Sequence, residues 1–176
     1  MKKIKLEGTL IYLRPVEISD ATKEYVGWLN DPEVNQYLES RFSKHTSKNL
    51  REYINNVLKD SSYIFLAIIR KDSDKHIGNI KLGPINKHHK FAEIGIMIGD
   101  KDSWGHGYAS EAIGLLSDFS FNRLKLHKII AGAYENNTGS IKAFTKNGFT
   151  IEDVRKELFL FNGKYINSVM MVKSIL

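Results

Sequence analysis

The sequence predicts one domain of mixed α/β class, a twisted, mostly antiparallel sheet of about seven strands flanked by about four helices. Three observations lead there. Strand-period runs dominate the first half and follow one another across short polar connections, the order of a meander. From residue 91 the chain alternates strand, helix, strand, helix, which calls for a parallel crossover. Asn162-Gly163 between two apolar runs is a two-residue hairpin signal. The 176 residues are the size of a single domain that buries a core without staples, so one domain is expected over 1–176.

Taken in order, residues 5–14 hold the strand run Leu10-Ile11-Tyr12-Leu13, and Pro15 ends its ladder. Ser19-Asp20 reads as the N-cap of a helix through Leu29, which Asp31-Pro32 restarts as a short second piece with Pro at its first position. Thr46 or Ser47 opens a helix to about Lys59, with Leu50, Tyr53, Ile54, Val57 and Leu58 on its apolar face. Residues 63–70 and 76–85 form a hairpin around Asp72-Ser73-Asp74-Lys75, and Asn86-Lys87-His88-His89-Lys90 leads into a third antiparallel strand. In that strand Ala92, Ile94, Ile96 and Ile98 alternate with Glu93, Gly95, Met97 and Gly99, so Glu93 is a carboxylate on an otherwise uncharged strand.

After Asp100-Lys101-Asp102-Ser103 come Trp104, Gly105, His106, Gly107, Tyr108, Ala109 and Ser110. Two glycines here let backbone N–H groups converge as a helix begins. Ala109, Ala112, Ile113, Leu116 and Phe119 place that helix's stripe on the sheet, so its first-turn amides face outward and an anion is expected there. Residues 128–134 are the strand that crosses to lie parallel. Asn137 then caps a helix ending at Asn147-Gly148, and 149–160 with 164–172 make the terminal hairpin.

Composition narrows the chemistry. With no cysteine there is no disulfide, thiolate metal ligand or acyl-cysteine nucleophile. The six histidines show no metal-site spacing, and no metal is expected. No apolar run approaches membrane-spanning length, and Met1-Lys2-Lys3 leads into mixed strand-like sequence, so a soluble, unprocessed, cytoplasmic protein is expected. The formal charge of +6 favours anionic partners. Lysines and arginines are spread along the chain and no base-stacking motif accompanies them, so no nucleic acid is expected.

Trp104 to Ala109 together with Asn137-Thr138-Gly139-Ser140 … Lys146-Asn147-Gly148-Phe149 resemble two elements of the GNAT superfamily of acetyl-CoA-dependent N-acetyltransferases. These are the Arg/Gln-x-x-Gly-x-Gly/Ala signature and the Asn-x-x-Ser … Lys-x-Gly-Phe element. The similarity extends over nearly the whole chain, because Leu10-Ile11-Tyr12-Leu13-Arg14-Pro15 and Trp28-Leu29-Asn30-Asp31-Pro32-Glu33-Val34 look like the RimJ/RimL-type branch.

The resemblance implies a GNAT-like fold, acetyl-CoA as cosubstrate, and direct attack by an amine in a ternary complex. It implies that the central strand and the next one splay beyond a β-bulge, for which Gly95 or Gly99 is the candidate host. It places Glu93 as general base and the Met97 backbone N–H on the thioester carbonyl. Read from the residues alone, Glu93 is equally a solvated or salt-bridged carboxylate. By resemblance the cofactor-binding set is Met97, Ile98, Trp104 to Ser110, Asn137, Ser140, Phe144 and Lys146, with Lys142 beside it.

Two residues depart from the family pattern. Phe144 stands where many relatives carry a tyrosine acid, leaving Ser140 as a weak substitute, and Trp104 replaces the usual Arg or Gln. Tyr12, Trp28, Tyr37, Arg41, Phe42 and Asn79 are candidates for the acceptor pocket or for the core. The acceptor is expected to be a small amine or a nucleotide-linked amino sugar, with a protein N-terminus, or acyl-CoA sensing without turnover, as the rivals. An exposed apolar edge at the terminal hairpin would suit a homodimer.

Overall fold

A computed structural model describes residues 4–175. Its eight strands are β1 (Leu6–Glu7), β2 (Ile11–Pro15), β3 (Ile64–Arg70), β4 (His76–Leu82), β5 (Phe91–Ile98), β6 (Lys128–Tyr134), β7 (Thr150–Phe161) and β8 (Lys164–Ser174). They form one sheet in the order β1-β2-β3-β4-β5-β6-β8-β7, with β5–β6 the parallel pair. The helices are α1 (Lys23–Asn30), α2 (Pro32–Asn35), α3 (Ser47–Lys59), α4 (Tyr108–Asn122) and α5 (Thr138–Lys146). The mixed, mostly antiparallel sheet flanked by helices is the expected class.

Both faces of the sheet are covered at β3, which explains why Ile64 to Ile69 reads as an unbroken apolar run. Leu66 and Ile68 join Ala112, Ile113, Leu116 and Phe144 of α4 and α5 on one face. Phe65, Ala67 and Ile69 join Tyr25, Leu29, Leu50 and Ile54 of α1 and α3 on the other.

Three local expectations are corrected. The Ser19-Asp20 cap is displaced: residues Ile18–Asp20 form a 3-10 turn, and the helix starts after Thr22, whose hydroxyl accepts from Tyr25 N at 3.2 Å. Asp20 instead accepts both Arg14 guanidinium nitrogens at 2.7 Å and Glu17 N at 2.7 Å. On α3 only Leu50 and Ile54 are buried, whereas Tyr53 and Leu58 are exposed, because the sheet covers a stripe narrower than the whole apolar set. The additional strand, β1, is two residues long and gives no periodicity to read. The terminal hairpin turns as expected, with Asn162 at φ 49° and Gly163 at φ 76°.

Candidate functional site

The parallel contact between β5 and β6 is short: Phe91, Ala92 and Glu93 pair with Lys128, Ile129 and Ile130. Beyond Glu93, β5 stays on β4 as far as Ile98 and β6 stays on β8 as far as Tyr134, so the two strands part into a wedge. Of the two expected bulge hosts, Gly95 lies in a continuous register from Gly78↔Ile98 to Leu82↔Ile94. At Gly99 the ladder is irregular: Gly99 N and Asp100 N both donate to Ile77 O, at 2.9 and 3.1 Å, two residues against one.

Register also decides which backbone groups line the wedge. Gly83 N donates to Glu93 O at 2.7 Å and Gly99 N donates to Ile77 O at 2.9 Å. In an antiparallel ladder these bonds recur at alternate residues, so the odd-numbered residues of β5, Met97 included, turn their amides to β4. This corrects the expected role of the Met97 N–H. The amides of Ile96 and Ile98, past the last parallel pair Glu93↔Ile130, face the open wedge. On the opposite lip Glu135 N donates to Asn167 O at 3.1 Å, which by the same parity leaves Ile130, Gly132 and Tyr134 facing inward.

Glu93 stands at the closed end of the wedge, on the face shared with α1 and α3. Among the described residues no hydrogen bond or ion pair holds its exposed carboxylate.

At the open end lies the start of α4. Gly107 is its N-cap at φ 85° with no side-chain cap, and Gly105 sits at φ 79°. A Cβ at either glycine would meet nothing within 4 Å, so glycine serves the left-handed backbone here and open space surrounds it. The first intrahelical bond runs from Glu111 N to Gly107 O at 3.0 Å, which leaves the amides of Tyr108, Ala109 and Ser110 pointing out of the helix. Tyr108 anchors the turn in the core, while His106 is exposed on the loop.

The Trp104 indole Nε1 donates to Ile98 O at 2.9 Å, tying the loop to the wedge mouth. Glu111, a carboxylate one turn from the expected anion, is engaged elsewhere: it accepts from Thr9 N, from Leu10 N at 3.0 Å and from Ile11 N at 3.1 Å. Sequence reasoning missed Glu111 because its partners lie a hundred residues upstream.

Asn137 caps α5 as expected, and it does so by accepting from Ser140 N at 3.2 Å. Ser140 is thus the capped residue, with its hydroxyl left half-buried. Lys142 and Lys146 are exposed on α5. Phe144 is corrected from a cofactor contact to a core residue. It is 2% exposed, with its ring 5.0 Å from that of Phe149, because it lies on the α5 stripe that packs on the sheet.

The acceptor candidates separate. Tyr12 is three strands away from β5, bonded to Asp74, and does not belong to the site. Trp28 lies so close over Gly99 that a Cβ there would come within 2.1 Å of the indole. With Asp31 and residues 99–102 it lines a cleft of about 240 Å³ just past β5. Within that cleft Lys101 pairs with Asp31 at 2.8 Å and, beside it, with Glu33 at 3.1 Å. Burial opposes ionisation of Asp100, but Ser103 and Lys75 outweigh it and hold the carboxyl below its ordinary value. Asn79 is buried beneath this region, with Oδ1 3.1 Å from His76 Nε2 and no partner for Nδ2 among the described residues.

Arg41 and Phe42 line a second, larger cleft of about 490 Å³ with Asn30, Pro32, Asn35 and Lys44. Arg41 Nη1 donates to the Tyr134 hydroxyl at 2.8 Å, that hydroxyl donates to Glu39 Oε1, and Tyr37 OH donates to Asn136 O at 3.2 Å. Burial and the Glu39 carboxylate raise the Tyr134 hydroxyl pKa above its ordinary value, with Arg41 pulling the other way. Tyr134 and Glu39 escaped the sequence reading because nothing local pairs residues 95 positions apart.

A family model described as an acetyltransferase (GNAT) domain matches residues 11–150. Over 169 residues, 90% of each chain, the sequence is 32% identical to the probable N-acetyltransferase YjcK of Bacillus subtilis (strain 168). Spermidine N-acetyltransferase from Vibrio cholerae, solved in complex with CoA and spermine, is 25% identical. It superposes with a TM-score of 0.84 over 95% of this chain and 96% of that one. RimL, a ribosomal L7/L12 alpha-N-protein acetyltransferase in complex with coenzyme A, shares the fold at a TM-score of 0.87 and 18% identity, over 98% of both chains.

Proposed function

Because the chain belongs to the GNAT acetyltransferase family, we propose that it moves the acetyl group of acetyl-CoA to a primary amine by direct attack in a ternary complex, with Glu93 as the base. The observation that supports this reading best is the wedge itself. Strand amides of Ile96 and Ile98 line one lip, a carboxylate stands at its closed end, and uncapped helix amides stand at its mouth. The open space at Gly105 and Gly107 suits a diphosphate, and the parted strands suit an extended pantetheine arm.

Acetyl-CoA supplies an activated thioester. Glu93 takes the proton from the incoming ammonium, directly or through water. An amide facing the wedge, Ile96 N–H in place of Met97 N–H, donates to the carbonyl oxygen as charge develops. A thiolate of ordinary thiol pKa, about 8.5, leaves without a strong acid, which suits a site where Phe144 is turned into the core and Ser140 offers only a weak acid. Trp104, His106 and Lys146 frame the phosphate end, and Asn137 the arm.

For the acceptor we infer a small amine or a nucleotide-linked amino sugar rather than a polycation. Asp31, Glu33 and Asp100 near the mouth are already paired with Lys101 and Lys75, Arg41 and Lys44 line the larger cleft, and the net charge of +6 repels polyamines. The protein is expected in the cytoplasm; among the described residues no helix is long and apolar enough to cross a membrane. Ile151, Val154, Leu158 and Leu160 are exposed on the edge strand β7 and suit a homodimer, which sedimentation tests.

Release of free CoA thiol across an amine panel tests the reading. The panel holds a simple alkyl amine, a nucleotide-linked amino sugar, spermine and a peptide with a free N-terminus. Turnover with either of the first two is expected. Preference for spermine or the peptide would transfer the acceptor assignment to that class, and CoA binding without release from any amine would favour a sensor.

A further inference from the structure

Asn147, just past α5, reaches back to the first turn of α4. Its Nδ2 lies 2.9 Å from Ser110 O, 3.0 Å from Ser110 Oγ and 2.8 Å from Ala143 O. The two carbonyls fix the amide's orientation, since only the NH₂ side can face two acceptors. Its two protons face three oxygens, so the Ser110 hydroxyl oxygen shares one of them with a carbonyl, and since an amide nitrogen does not accept, the hydroxyl's own proton is donated elsewhere. Among the described residues no oxygen takes it. Ser110 belongs to the same turn as the outward-facing amides of Tyr108 and Ala109. The contact is also built into α4, because a Cβ at Gly114 would come within 2.8 Å of Asn147 Oδ1. Any larger residue there would push the amide away.

We propose that Asn147 is a positioning residue for acetyl-CoA: by occupying the acceptor side of the Ser110 hydroxyl, it holds that hydroxyl as an outward donor to the diphosphate. The inference rests on the reading of residues 105–110 as the phosphate cradle. Ser110 makes the contact, and Asn147 acts through it. A phosphate oxygen accepting from a neutral hydroxyl forms a charge-assisted bond, whose loss costs about tenfold or more in affinity.

The test uses the intact enzyme with one accepted amine and two donors, acetyl-CoA and S-acetylpantetheine, which lacks the phosphates. Asn147→Leu and Ser110→Ala are each expected to raise KM for acetyl-CoA about tenfold and to leave kcat within about twofold. The double variant is expected to lose no more than either single one, and kcat/KM with S-acetylpantetheine is expected to stay at the parent level. Multiplying losses in the double variant, an equal loss with both donors, or an unchanged KM would overturn the proposal. Thermal melts show whether Asn147→Leu folds; if it does not, Ser110→Ala decides alone, and a parental KM overturns it. Gly107→Glu, run alongside by calorimetry with CoA, separates the two levels. Undiminished binding sinks the cradle itself, whereas weakened binding beside an unaffected Asn147→Leu sinks only the role of Asn147.

Discussion

Glu93 carries the chemistry proposed for this chain, and it does so by position: a carboxylate without a partner among the described residues, where β5 and β6 begin to part. Glu93→Gln keeps shape and hydrogen bonding but removes basicity, so turnover at neutral pH is expected to fall about a hundredfold while acetyl-CoA affinity holds. Rates of the variant should partly recover as pH climbs toward about 10, where more of the amine is neutral in solution. Parallel rate profiles for parent and variant would reduce Glu93 to an orienting residue. Phe144 leads to a different expectation. Its ring is buried against Phe149, so Phe144→Tyr places a hydroxyl where the apolar packing offers it no partner, costing about 1–3 kcal/mol. A fall in Tm of about 2–4 °C per kcal/mol is expected, and an unchanged melt with faster turnover would show that the site lies open to the wedge.

Some of this was legible residue by residue and some was not. Glu93 broke an apolar alternation and stood out at once. The amide facing the wedge did not, because parity along β5 is set by the partner strand β4, and register leaves no mark on a single strand's side chains. Phe144 was visible as a departure from the family pattern, yet its burial depended on which stripe of α5 meets the sheet. Glu111, Tyr134 and Asn147 gained their roles from contacts 37 to 102 residues away.

At the scale of elements, the chain builds its site by ending one pairing early. β5 and β6 share three positions and then follow different partners, so the wedge opens through sheet order, ahead of the bulged end of β5 at Gly99-Asp100. The alternation of residues 92–98 and the Asn162-Gly163 turn made β5 and the terminal hairpin readable in advance. The two-residue β1 and the displaced start of α1 lay below what periodicity can register. The start of α4 gives the prediction at this scale. Gly107→Ala forces a Cβ into left-handed backbone at a cost of about 1–2 kcal/mol, yet the Cβ meets no neighbour. The variant should melt a few degrees lower and bind CoA better than Gly107→Glu. Melting at the parental temperature would mean that this loop relaxes without cost.

For the whole molecule, half-buried His76 and buried Asp20, both on the α1 side, contribute to the loss of stability in acid. Burial pulls the His76 pKa below its ordinary value, against the opposing charge of Asp20. The unfolded chain therefore takes up that proton first, and stability should fall as pH drops below about 6.5. Burial also works against the Asp20 carboxylate, but Arg14 and the Glu17 N–H prevail and hold its pKa below the ordinary value. Its contribution is complete above about pH 4 and is lost below that. Urea midpoints measured across this range should show both stages, and His76→Gln should remove the first; an unchanged slope between about pH 6.5 and 5 would assign that stage to other groups.

The whole fold converges on one prediction, that acetyl-CoA lies in the β5–β6 wedge with its diphosphate on the first turn of α4. Amide hydrogen exchange with and without acetyl-CoA tests it most directly. Added ligand is expected to slow exchange in two segments, residues 94–98 and 105–110, while the β2–β3 side of the sheet exchanges as before. Protection elsewhere, with those two segments unchanged, would contradict it.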